Sequence, residues 1–214
     1  MVTRHHTRHR LGYRCDISLP FHFYTMWPQY IINKSNRLPD TETIENRFYG
    51  LYDDILTECF PRDQFSLFPQ YATPQMRPRS AESIDFMITY VVEANDSPIF
   101  FIEVKPPTHL PSASARKAAQ NQVIDRFGDI GHLVKIPNLC GISAIGRNLA
   151  YYKWNKATGE VIPEIQPDSN VLFKDTAPIE FWDTNVMQQD GYEKFMAAVN
   201  EAKASAQAFG TYVR

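Results

Sequence analysis

In the run Phe100-Phe101-Ile102-Glu103-Val104-Lys105, an extended chain sends alternate side chains to opposite faces. Glu103 and Lys105 therefore share one face, while Ile102 and Val104 point to the other layer. A second run carries Asp85 between Ile84 and Phe86, and antiparallel pairing of the two runs would bring Asp85 beside Glu103. Two adjacent carboxylates are costly to bury unless a cation neutralises them, and hard oxygen donors select Mg²⁺ or Mn²⁺. Such an ion binds a phosphate oxygen and a water, lowers the water's pKa and stabilises the charge that develops during phosphodiester hydrolysis. Lys105 would orient the attacking water or steady the phosphate. The competing reading is a solvated sheet face, where Asp, Glu and Lys are common. Ile99 and Phe101 share the Glu103 face and argue for a covered one.

These residues need a scaffold, and the hydrophobic periodicity supplies one. Ile44, Phe48, Leu51, Tyr52, Ile55 and Leu56 recur at helical spacing between an N-cap at Asp40 or Thr41 and a stop at Pro61, which predicts a helix over 41–59. Pro61, Pro69, Pro74 and Pro78 make the next stretch a loop, with Arg77 and Arg79 near its end. Alternation over 83–92, a turn at Asn95-Asp96-Ser97-Pro98 and a β-branched, aromatic run over 99–105 predict a hairpin. From Ser112 or Ser114 the pattern is helical, with Ala115, Ala119, Val123, Arg126, Phe127 and Ile130 on one side. A second hairpin follows over 139–145 and 149–154, turned at Gly146-Arg147-Asn148, and a last helix is capped by Asp190. The order is helix, hairpin, helix, hairpin, helix.

Ser83-Ile84-Asp85 followed, after 17 residues, by Glu103-Val104-Lys105 resembles the split D…ExK signature of the PD-(D/E)XK nucleases. Ile84 stands where that signature has its proline. The resemblance implies an α/β fold with a central mixed β-sheet flanked by helices and a restriction-endonuclease-like αβββαβ core, corresponding to about residues 41–155. It makes Asp85 and Glu103 the metal ligands and Lys105 the catalytic lysine, with the backbone carbonyl of Val104 as a further ligand. Many members place an acid on the first helix, and Glu45 lies at the edge of the apolar stripe, where it would complete the metal shell. Glu45 also suits a plain surface acid near a helix N-terminus. Several branches carry an inward Gln on the next helix. Here Gln122 and Arg126 form an i,i+4 pair that would contact phosphate or hold Lys105 and Glu103, or else cap a core edge by snorkelling. The implied activity is a Mg²⁺- or Mn²⁺-dependent nuclease, with DNA the expected substrate. The alternative is a catalytically inactive module of the same fold that binds nucleic acid or a protein partner.

Composition sets bounds on both readings. With 214 residues, 43% of them hydrophobic, the chain suits a single domain with one core. Its formal net charge of -2 hides an uneven distribution: residues 1–14 carry Arg4, Arg8, Arg10 and Arg14 without an acid, so an arm of +4 adjoins a remainder of -6. This basic start belongs to an irregular, Pro-interrupted arm over about 1–40, with one short element expected near 21–24, and it can reach phosphates or simply lie disordered. Arg77 and Arg79 invite the same two readings, a nucleic-acid grip or a solvated loop. His5, His6 and His9 sit on that arm without a preformed zinc geometry. Cys15, Cys59 and Cys140 are odd in number, far apart and without CxxC spacing, so neither a disulfide framework nor a zinc site is indicated, and they read as small buried hydrophobes of a reducing compartment. No apolar run approaches the ~18 residues of a membrane span, so the expected setting is intracellular, cytoplasmic or nuclear, with no membrane partner and room for a homodimer or a protein partner. Tyr151, Tyr152 and Trp154 read as core residues before base-stacking platforms.

Overall fold

The computed structural model describes residues 26–69, 89–165 and 175–210. Within them the protein is α/β, a mixed open sheet with helices on both faces. The helices are α1 (Gln29–Asn36), α2 (Asn46–Cys59), α3 (Ala113–Ile130) and α4 (Gln189–Ala208). The strands are β1 (Ser66–Phe68), β2 (Thr89–Ala94), β3 (Ser97–Lys105), β4 (Asn138–Ile145), β5 (Asn148–Asn155), β6 (Val161–Ile162) and β7 (Thr184–Asn185). They lie in spatial order β1-β2-β3-β4-β5-β6, and β7 pairs with β5. Every pairing is antiparallel except β3 with β4, which run parallel because α3 carries the chain back across the sheet.

Alternation along β3 sorts the core into two layers. Phe100 meets Phe60, at the end of α2, with ring centroids 5.4 Å apart, and Phe195 of α4 at 6.0 Å. Phe101, on the opposite face, meets Phe127 of α3 edge to face at 5.1 Å. That contact occupies the space a side chain would need at Gly141, the β4 partner of Phe101, so α3 lies close on the sheet only because Gly141 has none. All nine positions of β3 are buried. Among the described residues no helix is long and apolar enough to cross a membrane.

Several element boundaries differ from the periodicity. The helix expected over 41–59 starts at Asn46, because the Glu42 carboxylate accepts hydrogen bonds from the Thr43 and Ile44 amides, both at 3.0 Å, and folds 42–44 into a turn of its own. The arm expected to be irregular through residue 40 contains α1, which begins right after Pro28, where a missing N–H costs nothing. The first hairpin turns more tightly than expected: Asn95 and Asp96 both take positive φ (47° and 56°), and Ser97 and Pro98 already belong to β3. Helix α3 does begin behind Ser112, whose hydroxyl accepts from the Ala115 amide at 3.3 Å. Helix α4 has Gln188 at its N-cap, with Asp190 in the first turn. The short element expected at 21–24 lies outside the described residues.

Candidate functional site

The parallel strands β3 and β4 end together at Lys105 and Ile145, and open α/β sheets tend to hold their ligands beyond such carboxyl ends. Glu103 and Lys105 are 1% and 8% exposed, so the face they share is covered by protein and the solvated-face reading fails there. The side chain of Val104 is fully buried on the other layer. The cover over Glu103 is α3: the Arg126 guanidinium donates from Nε to Glu103 Oε1 at 3.1 Å, and both side chains are almost wholly buried. Arg126 also lies 3.9 Å from Asp129.

Because α3 runs back along β3, a step toward its N-terminus is a step toward Lys105. Gln122 lies one turn before Arg126, toward the N-terminus of α3. Its side-chain oxygen Oε1 is buried without a hydrogen-bond partner. A buried acceptor of this kind is uncommon.

Lys105 is held from the other side. Its Nζ donates to Glu45 Oε2 at 3.0 Å, and the second oxygen of Glu45 accepts from the Tyr49 hydroxyl at 2.6 Å. Local chemistry explains the pair at the start of α2, since the N-cap Glu45 already has helical φ/ψ and residues four apart then share a face. The helix is seated at both ends of its first turns. Tyr52 Oη donates to the Gly146 carbonyl at 2.7 Å, and Thr108 Oγ1 donates to the Glu42 carbonyl at 3.3 Å. The Gly146 amide in turn donates to the Lys105 carbonyl at 2.8 Å. Gly146 has φ 62°, and a Cβ there would come within 2.7 Å of Pro107, so the turn capping the strand ends requires glycine twice over. His109, in the short turn after Lys105, belongs to the same corner. Burial, then the Lys105 ammonium, holds its imidazole below the usual pKa, and Glu45 opposes them.

Of the residues picked from the sequence, Glu103 with Arg126 and Lys105 with Glu45 thus form two ion pairs near the end of β3, and Gln122 lies one turn from Arg126 on α3. Asp85, Arg77 and Arg79 lie outside the described residues, as do the basic arm and its histidines. The hairpin register sets Thr89 directly opposite Glu103.

No family model, curated protein or solved structure matches the chain.

The site therefore rests on its own geometry. Among the described residues no group of three His, Cys, Asp or Glu side chains is placed to hold an ion. The Glu103 carboxylate and the orphaned amide oxygen of Gln122 are hard oxygen donors of the kind a divalent cation takes, and Glu103 is already paired with Arg126. Tyr49 and His109 were missed from the sequence. Tyr49 carried a signal, its i,i+4 spacing from Glu45, but a half-buried tyrosine beside an apolar stripe looks like core. His109 follows Pro106-Pro107, which mark the end of the strand and hide the short turn that swings the imidazole back.

Proposed function

We propose that the chain is a divalent-metal-dependent nuclease that hydrolyses phosphodiester bonds in DNA, built on a restriction-endonuclease-like core. The observation that carries this reading is a buried carboxylate and a buried lysine two positions apart at the ends of parallel strands. The succession α2-β1-β2-β3-α3-β4 agrees with the αβββαβ order that the sequence resemblance implies. On this reading Asp85, Glu103 and the Val104 carbonyl hold Mg²⁺ or Mn²⁺, which supplies Lewis-acid stabilisation of phosphate charge. Arg126 keeps the Glu103 carboxylate from turning away. Lys105 directs its ammonium at the attacking water or a phosphate oxygen, and Gln122 offers its free acceptor to the same water. Arg77, Arg79 and the basic arm add phosphate contacts whose strength falls with salt.

A second reading draws on one specific observation: Glu103 and Lys105 each already have an oppositely charged protein partner, at 3.1 and 3.0 Å. Ion pairs of this kind also suit an inactive module of the same fold, one that binds nucleic acid or a protein partner without cutting. Cleavage of labelled single- and double-stranded DNA and RNA in Mg²⁺, Mn²⁺ or chelator separates the two. The nuclease reading expects cutting that requires the metal and that falls at least about 100-fold in Glu103→Gln. A folded parent protein that binds DNA but leaves it intact in every metal would establish the inactive module instead.

A further inference from the structure

We infer that Glu45 and Tyr49 form a positioning relay for Lys105, with Glu45 orienting the lysine ammonium instead of serving as an ion ligand. The inference rests on the nuclease reading for its catalytic meaning, but its geometry stands apart from it. Both carboxylate oxygens of Glu45 are engaged, Oε2 by Lys105 Nζ at 3.0 Å and Oε1 by the Tyr49 hydroxyl at 2.6 Å. An ion drawing on this carboxylate would have to share Oε2 with an ammonium, where like charges repel, or displace the Tyr49 hydroxyl from Oε1. A lysine side chain carries about 2 kcal/mol of rotamer entropy. A single acceptor at a strand end would leave much of that freedom in place.

Here the acceptor is itself fixed, because the backbone that carries it is tied down from several directions. The Ile44 amide is bonded to the Glu42 carboxylate, the Phe48 amide donates to the Glu45 carbonyl at 3.0 Å, and Thr108 holds the Glu42 carbonyl at 3.3 Å. Arg47 lies 3.6 Å from Glu42 and adds a charge pair to the same turn. Glu45 sits just before α2, where the helix N-terminus favours a negative charge. The lysine is 9% exposed and the glutamate 21%, so the pair is sheltered from water without being sealed from a substrate. The relay is Tyr49 to Glu45 to Lys105, and its purpose is to present one N–H of the ammonium in a constant direction.

The test compares Glu45→Gln, Tyr49→Phe and Glu103→Gln in the full chain. Mn²⁺ binding is measured by calorimetry, single-turnover cleavage at saturating Mn²⁺, and the ¹⁵N-lysine ammonium signals by NMR. A positioning relay predicts Mn²⁺ affinity within about twofold of the parent in Glu45→Gln and Tyr49→Phe, but a clear loss in Glu103→Gln. It predicts cleavage at least about 10-fold slower in Glu45→Gln and a few-fold slower in Tyr49→Phe. It also predicts a protected Lys105 ammonium signal that Glu45→Gln abolishes and Tyr49→Phe broadens. Mn²⁺ binding weakened in Glu45→Gln as much as in Glu103→Gln would overturn the relay and make Glu45 a ligand. An ammonium signal unchanged by Glu45→Gln would overturn it as well. A parent protein that never cuts would end the nuclease reading while the ammonium signals still decide whether Glu45 orients Lys105. Unchanged melting temperatures in Tyr49→Phe, with slower cutting, separate positioning from a structural staple.

Discussion

Two acid–base pairs meet at the end of one strand, and they are built to different specifications. The side chains of Glu103 and Arg126 are 2% and 5% exposed between β3 and α3, whereas those of Glu45 and Lys105 are 21% and 9% exposed at the strand end. The first pair cannot be separated without leaving a charge in the protein interior, a penalty far larger than any gain from a surface ion pair. The second can exchange partners, because water reaches one side of it. The closed pair is fixed by burial, and the more open pair keeps contact with solvent through Glu45.

That contrast can be broken most directly at Arg126. Arg126→Met should lower unfolding free energy by about 3–5 kcal/mol in urea titration, because Glu103 loses its buried cation. If Mn²⁺ binds at Glu103, the ion should recover part of that loss and raise the melting temperature of Arg126→Met more than that of the parent. A loss below about 1 kcal/mol would show that the closed pair is less committed than its burial suggests. Gly141→Ala should cost about 1–3 kcal/mol in the same titration, since the added methyl collides with Phe101 and Phe127 and lifts α3 from the sheet.

The open pair should respond in the opposite manner. Lys105→Met should cost less stability than Arg126→Met, because its partner Glu45 is the more exposed carboxylate, yet on the nuclease reading reduce single-turnover cleavage at least about 100-fold; a variant cutting at the parent rate would remove Lys105 from the chemistry. The smallest effect is expected at His109. Its pKa in the folded protein is depressed by burial and by Lys105, so between that value and the ordinary one near 6.5 the unfolded chain binds more protons than the native one. Stability should therefore rise with pH through that window and fall as His109 is forced to charge. In chelator, His109→Asn should flatten this slope just below about pH 6.5, whereas an unchanged slope would mean that other groups set it.

The strand carrying Glu103 and Lys105 was legible because alternation is a strong signal and because Pro106-Pro107 end it. Helix α3 was legible for a similar reason: Ser112 caps it and Ala119, Val123 and Phe127 repeat at helical spacing. The partner of Glu103 was named only within a broader role, since Arg126 falls on the apolar side of α3 but no spacing rule says which strand residue it will meet. Helix α1 was not legible, because a run headed by Pro28 and Gln29 with a single buried isoleucine has little period of its own and is held by the rest of the fold. Arg147 of the β4–β5 turn donates to Ser35 and Asp40 and to the Ser35 and Leu38 carbonyls, tying α1's end in place through contacts more than 100 residues apart. The start of α2 was misplaced for a local reason, the Glu42 turn, which moved the helix boundary next to the acid that matters.

The parallel pairing of β3 with β4 also orders events in time. The two hairpins join neighbours through tight turns and close short loops, which form in microseconds, while the parallel ladder must wait for the whole α3 crossover. Arg126 finds Glu103 across 23 residues of chain, but Lys105 finds Glu45 across 60. The Glu103–Arg126 contact thus closes a shorter loop than the Lys105–Glu45 contact, which favours its earlier formation.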